Sequence, residues 1–203
     1  MSGKAGVKLV CGIGFNDGRY PAKANGKPTK EYSIWKLMLR RCTTTLWETF
    51  PSYTGVTCSE NFKSYSFFYE WYHGQVGSTD KDCDGKSWHL DKDLLVKGNK
   101  VYSEDTCLFL PPKINTLLPK CDASRGEFPI GVDARKRDNK FRVRCSTESG
   151  SKFLGDFSTK EEAFNAYKYF KEGHIKSLAE KYKEQIDERA YQALLNYRVE
   201  ITD

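Results

Sequence analysis

Between Phe128 and Phe157 the chain alternates apolar with polar side chains in three short runs, FPIGVDARK, KFRVRCST and KFLGDF, separated by the turn-forming stretches RDNK and ESGS. Period-two alternation marks a strand with one buried face. Three antiparallel strands joined by tight turns are therefore expected. At Ser158 the period changes. STKEEAFNAYKYFKE places Ala163, Ala166, Tyr167 and Phe170 at helical spacing, with Ser158 or Thr159 as N-cap and Glu161 and Glu162 in the electropositive first turn. A sheet with one apolar face needs a partner, and this helix supplies it. In KFRVRC, Phe141, Val143 and Cys145 take the helix side. Arg142 and Arg144 take the other, about 7 Å apart, two strand rises.

Upstream, Met1 to Lys30 is rich in Gly, Lys, Pro and Asn and reads as a loop or extended arm. EYSIWKLMLRRC predicts a helix from near Glu31, with Ile34, Trp35, Met38, Leu39 and Cys42 at helical spacing and Lys36, Arg40 and Arg41 on the other side. Pro51 and Gly55 break the next stretch into loop or short strand. SENFKSYSFFYEWYHG reads as one helix, with Ser59 as N-cap, Gly74 as its end, and Phe62, Tyr65, Tyr69 and Tyr72 on one face. WHLDKDLL and CLFL read as two strands around the loop VKGNKVYSEDT, and KINTLL follows as a short helix. KCDASRGEF is a link between domains. Past Gly173, which interrupts the helix, a last helical region carries Ile175, Leu178, Ala179, Tyr182, Ile186, Ala190, Ala193, Leu194 and Tyr197 on one face. Trp35, Trp71 and Trp88 read as core, and Cys42, Cys58 and Cys107 as small buried hydrophobes. The domains expected are an arm at 1–30, a unit at 31–120, a sheet-and-helix unit at 121–172 and a helical extension at 173–203.

Charge separates these segments. Residues 1–50 hold nine Lys and Arg against three Asp and Glu, and residues 120–171 hold twelve against eight. Residues 51–119 and 172–203 each lean acidic. Basic segments suit a phosphate backbone, and an acidic centre suits a metal. Seven unpaired-looking cysteines with no C-x-x-C pair argue against a disulfide framework or a zinc ribbon and for a reducing, cytosolic setting. No apolar run reaches the roughly 20 residues of a membrane span, and no signal peptide is apparent.

The order of the Gly-Val of the first strand, a basic second strand, a Leu-Gly-x-Phe third strand and a Thr-x-Glu-Glu-Ala-x-x-Ala-Tyr helix resembles the AP2-type DNA-binding domain over Phe128 to Glu172. That resemblance implies a sheet laid in the DNA major groove, with Arg135, Arg137, Lys140, Arg142, Arg144 and Lys152 pointing at double-stranded DNA. The middle segments SIWKLMLRRC, VTCSENFKSYSFFYEWY and LDKDLLVKGNKVYSEDTCLFLPPKIN resemble phage-type HNH endonucleases of the homing class. Proteins of that class often append an AP2-type domain. The two resemblances imply an α+β chain: a ββα-metal hairpin unit with helices, then a three-stranded antiparallel sheet with its helix, then the C-terminal helical region. They also imply a phage protein in the cytoplasm of a bacterial host.

An HNH site needs a base to activate water and oxygen or nitrogen ligands for Mg²⁺ or another divalent cation, which stabilises the leaving oxygen. Two registers compete here. In one, His89 is the base and Asp91 closes the His-x-Asp of the first strand. In the other, Asp91 is the metal ligand and Lys92 occupies the base position, where a lysine is a poor base unless buried. In both, Asn115 is the ligand from the helix. The central Asn of the motif should fall near Asp105 or Thr106 and is absent, and Asn99 lies in the preceding loop as a potential substitute. Two functions follow. One is a sequence-specific DNA endonuclease, with the basic arm and Arg40 and Arg41 gripping phosphates. The other is a binding protein on the same scaffold that has lost cleavage, a regulator or an inhibitor of a host system. The C-terminal stripe offers a third role, a protein-interaction module, its apolar residues packing on the nuclease-like unit, on a protein partner or on a second copy.

Overall fold

The computed structural model describes residues 9–118, 127–135 and 137–203. The expected link at 120–128 therefore lies mostly outside the described residues, and the first eight residues and Lys136 lie outside them too. The fold is α+β and divides into two compact units, one built on residues up to 81 with 87–109, the other on 82–86 with 110–203. No helix among the described residues is long and apolar enough to cross a membrane.

The first unit begins with a small antiparallel hairpin, β1 (Lys23–Ala24) and β2 (Lys27–Pro28). Asn25 and Gly26 both sit at positive φ between them, the backbone that a two-residue hairpin turn requires. Helix α1 (Lys30–Arg41) starts where the Thr29 hydroxyl accepts from the Tyr32 amide, and it buries Trp35, Met38 and Leu39. Arg40 and Arg41 fall in its last turn, where the helix dipole favours them. The next stretch is not the expected loop. It forms α2 (Thr44–Thr49), anchored where Trp47 Nε1 donates to the Arg41 carbonyl, and a 3₁₀ turn at Pro51–Tyr53.

After β3 (Thr57–Cys58) the expected single helix is two: α3 (Glu60–Lys63), capped by Ser59, and α4 (Tyr65–His73), capped by Ser64. The cause lies far away in sequence. The Phe15 amide donates to the Lys63 carbonyl, and the Phe15 carbonyl accepts from the Tyr65 amide. The incoming backbone takes the bonds a continuous helix would have used. Residues 9–30 are accordingly docked rather than extended. Tyr20 stacks on Tyr69 with centroids 4.0 Å apart, Ser66 donates to Asp17, and a Cβ on Gly14 would lie 2.2 Å from the Leu39 side chain. The aromatic core is Trp35, Phe62, Tyr65, Phe68 and Tyr72. Strand β4 (His89–Asp91) neighbours β6 (Leu108–Leu110), while β5 (Val101–Tyr102) pairs in parallel with β3.

The second unit contains α5 (Pro112–Leu117), the antiparallel sheet β7 (Val132–Arg135), β8 (Lys140–Thr147) and β9 (Gly150–Phe157), then α6 (Lys160–Tyr182) and α7 (Glu188–Leu195). Thr159 and Glu162 form a reciprocal capping box at the start of α6. Val132, Val143 and Cys145 pack against Ala163, Phe164 and Tyr167, and Val199 completes this core. Gly131 holds φ +73°, and a Cβ there would stand 2.1 Å from the Tyr167 ring, so the strand can approach the helix only through a glycine. The interruption expected at Gly173 does not occur: α6 runs straight through it. The C-terminal stripe is also not left open. Ile175, Leu178, Ala179, Tyr182, Ile186, Ala190 and Leu194 are buried within the chain, and Tyr191 of α7 donates to Glu180 of α6 at 2.7 Å.

Candidate functional site

The hairpin of the first unit is built around a buried carboxylate. Asp91 is 3% exposed, and its Oδ2 accepts from the amides of Asp93 (3.0 Å) and Leu94 (2.8 Å). That side chain caps the turn leaving β4. Lys92 Nζ donates to the Asn99 carbonyl at 2.6 Å and pairs with Asp93 at 3.3 Å, beneath the Tyr102 ring. Asn99 answers. Its amide donates to the carbonyls of Lys92 (2.7 Å) and Val101 (2.8 Å), and its Oδ1 accepts from the Val101 amide (3.0 Å). The loop between the strands is thus held by Asn99, and Thr106 adds a bond to the Val101 carbonyl. His89 is exposed on β4.

Asn115 sits within α5, in the other compact unit from Asp91. Among the described residues no group of three or more His, Cys, Asp or Glu is placed to hold a metal ion. Asp91, with one oxygen given to two backbone amides, does not by itself make a divalent-ion site. Cys42 Sγ donates to the Met38 carbonyl at 3.3 Å, and its interaction with Cys58 raises the Cys42 thiol above its ordinary value and lowers that of Cys58. Cys107 is fully buried, and burial pushes its thiol up to about 12.

The sheet of the second unit presents a charged outer face. Asp133 and Arg142 are register partners, as are Arg135 and Lys140, and Arg142 and Asp156. Asp156 accepts from Arg135 and, at 3.1 Å, from Arg142 Nε. The Arg142 hydrogen bond and the Arg135 charge beside it hold the Asp156 carboxyl below its ordinary value. The Arg142 guanidinium also lies 5.5 Å from the centroid of Phe153, a ring 55% exposed on the same face. Arg142 is therefore braced on two sides, while Arg144, Lys140 and Arg137 are exposed.

Lys152 is a correction. It was expected on this face and instead lies on the helix side, opposite Cys145, with Nζ 4.7 Å from the Phe170 centroid. The pairing passes from Val143–Gly155 to Arg144–Phe153, so Leu154 is an extra residue, a β-bulge. One inserted residue inverts the facing of the strand beyond it. It turns Phe153 outward and Lys152 inward. The sequence signal was Gly155, a glycine inside a strand, here at φ +141°.

Of the helix arginines, Arg40 is exposed. Arg41 turns into its own unit, donating to the Tyr102 hydroxyl at 3.1 Å beside the Tyr53 ring. Phe153 and Asp156 are the features that sequence reasoning did not assign. Comparison of the chain with family models, with curated proteins and with solved structures finds no match in any of the three.

Proposed function

We propose that the chain is a double-stranded-DNA-binding protein that reads sequence with the outer face of β7–β8–β9. The observation that carries this reading is the setting of Arg142, fixed between the Asp156 carboxylate and the Phe153 ring, with Arg144 and Lys140 exposed on the same strand. A braced guanidinium meets a guanine edge with little ordering left to lose, and such a bidentate contact discriminates by about 1–3 kcal/mol. Exposed Arg144, Lys140 and Arg137 suit phosphates, which give affinity and salt dependence. The AP2-like order of strands and helix agrees with this arrangement. The test is selection from a randomised duplex pool with the whole chain, followed by Arg142→Ala. A defined site whose discrimination at one or two base pairs is lost in that variant supports the reading. A pool that stays random sinks it.

The second reading, an HNH-type endonuclease using Mg²⁺ or a similar ion, draws on one observation: Asn99 closes the loop after Asp91, the task the motif's central Asn performs in the family this segment resembles. Supercoiled-plasmid nicking across a panel of divalent metals, lost in Asp91→Ala and Asn115→Ala with DNA binding retained, would establish it.

A further inference from the structure

Helix α6 carries a glycine that the fold does not require. Gly173 sits inside a 23-residue helix, and a Cβ added there would meet nothing within 4 Å. A glycine in a helix interior costs about 1 kcal/mol relative to alanine. Its bare backbone forms part of a surface groove of about 440 Å³, lined also by Tyr169, Phe170, Glu172, His174 and Lys176. Phe170 packs at the edge of the sheet–helix core, while Tyr169, Gly173 and Lys176 are exposed outside the buried stripe of Tyr167, Lys171, Ile175 and Leu178.

The groove joins aromatic surface to positive charge. Tyr169 is 84% exposed, so its ring face is open to a stacking partner. Phe170 and His174 stack with their planes 21° apart, and Lys152, turned to this side by the bulge, lies over Phe170. The groove's carboxylate, Glu172, is occupied: it accepts from the Val199 amide at 2.9 Å and faces Lys168 at 3.8 Å and Arg198 at 4.0 Å. Lys176 is exposed at the groove's other end. An open ring flanked by lysines suits a single strand of nucleic acid, and a base stacked on it contributes about 1–3 kcal/mol. A ring this open suits a strand passing over it better than a free nucleotide enclosed in a pocket.

We propose that this groove binds single-stranded DNA, a base stacking on Tyr169 over the space left by Gly173, with flanking phosphates at Lys152 and Lys176. The site stands on different residues from the sheet face and does not depend on its reading. The experiment is fluorescence anisotropy of labelled (dT)₈ with the full chain at low salt. Tyr169→Ala and Lys176→Glu should each weaken binding about tenfold. Gly173→Ala should raise the melting temperature and weaken (dT)₈ binding together, a combination that a purely structural glycine does not give. No binding of (dT)₈ by the unaltered chain would overturn the proposal, as would a Gly173→Ala variant that is stabilised and binds undiminished. Competition by dTMP or by poly-glutamate as effective as by unlabelled (dT)₈ would also overturn it. So would loss of (dT)₈ binding in Arg142→Ala with Tyr169→Ala unaffected, since the strand would then be held by the sheet.

Discussion

Lys92 and Asn99 close their loop by exchanging hydrogen bonds: the Lys92 ammonium donates to the Asn99 carbonyl, and the Asn99 amide donates to the Lys92 carbonyl. Each side chain satisfies the other residue's backbone. The turn capped by Asp91 therefore begins and ends under restraint, which fixes where β4 hands over to the loop.

Asn99→Ala removes three side-chain hydrogen bonds and leaves the Val101 amide without its side-chain acceptor. At about 1 kcal/mol for each net bond, the loss should be about 2–3 kcal/mol, read as a lower urea midpoint with an unchanged slope.

Asp156→Asn removes the carboxylate that braces two arginines. Affinity for random duplex at low salt should rise, because the face gains net positive charge, while discrimination between sites should fall as Arg142 loses its fixed orientation. Paired salt titrations on specific and random duplexes measure both. A variant with unchanged specificity would show that the brace is not used in recognition.

The same carboxylate sets a pH dependence. Its folded pKa lies below the ordinary value of 3.8, so the stability it lends is present above that value and is lost as pH falls through the folded one. Between pH 5 and pH 2 the unaltered chain should lose more stability than Asp156→Asn. Denaturation curves at the two pH values give the comparison.

Lys152→Ala should leave duplex affinity unchanged, because the bulge points Lys152 at Phe170. Arg144→Ala should weaken duplex binding across all sequences and lower the salt slope by about 1. Equal losses in the two variants would contradict the strand facing described above.

Gly131→Ala combines a positive φ with a Cβ pressed into the Tyr167 ring. Strain of about 1–3 kcal/mol adds to overpacking of similar size. The melting temperature should fall by many degrees, and duplex binding should go with it.

The three strands and the cap of α6 are legible in the sequence because alternation, turn residues and Thr-x-x-Glu spacing are local properties. What is not legible comes from elsewhere in the chain or from a single extra residue. The alternation of KFLGDF reads the same with or without a bulge at Leu154, so Lys152 is assigned to the wrong face. The break at Ser64 is fixed by the backbone of Phe15, and the one local sign of it, the serine that caps α4, also fits the polar side of a single helix. Gly173 reads as a stop because glycine is a poor helix former, yet the buried stripe on either side of it outweighs one unfavourable residue. Asn99 stands in the sequence as a potential loop holder, but which backbone groups its amide would bind depends on the loop's path and is not a local property.

Val199 belongs to the core beneath the sheet, more than forty residues beyond the last strand. On a ribosome adding 5–20 residues each second, the finished hairpins wait roughly 2–8 s for the residue that closes them. Throughout that interval Val132 and Val143 lack a neighbour they have in the finished protein. The nascent chain thus carries an incompletely covered, strand-rich surface, and the three-stranded sheet matures only once the segment after α7 has been made.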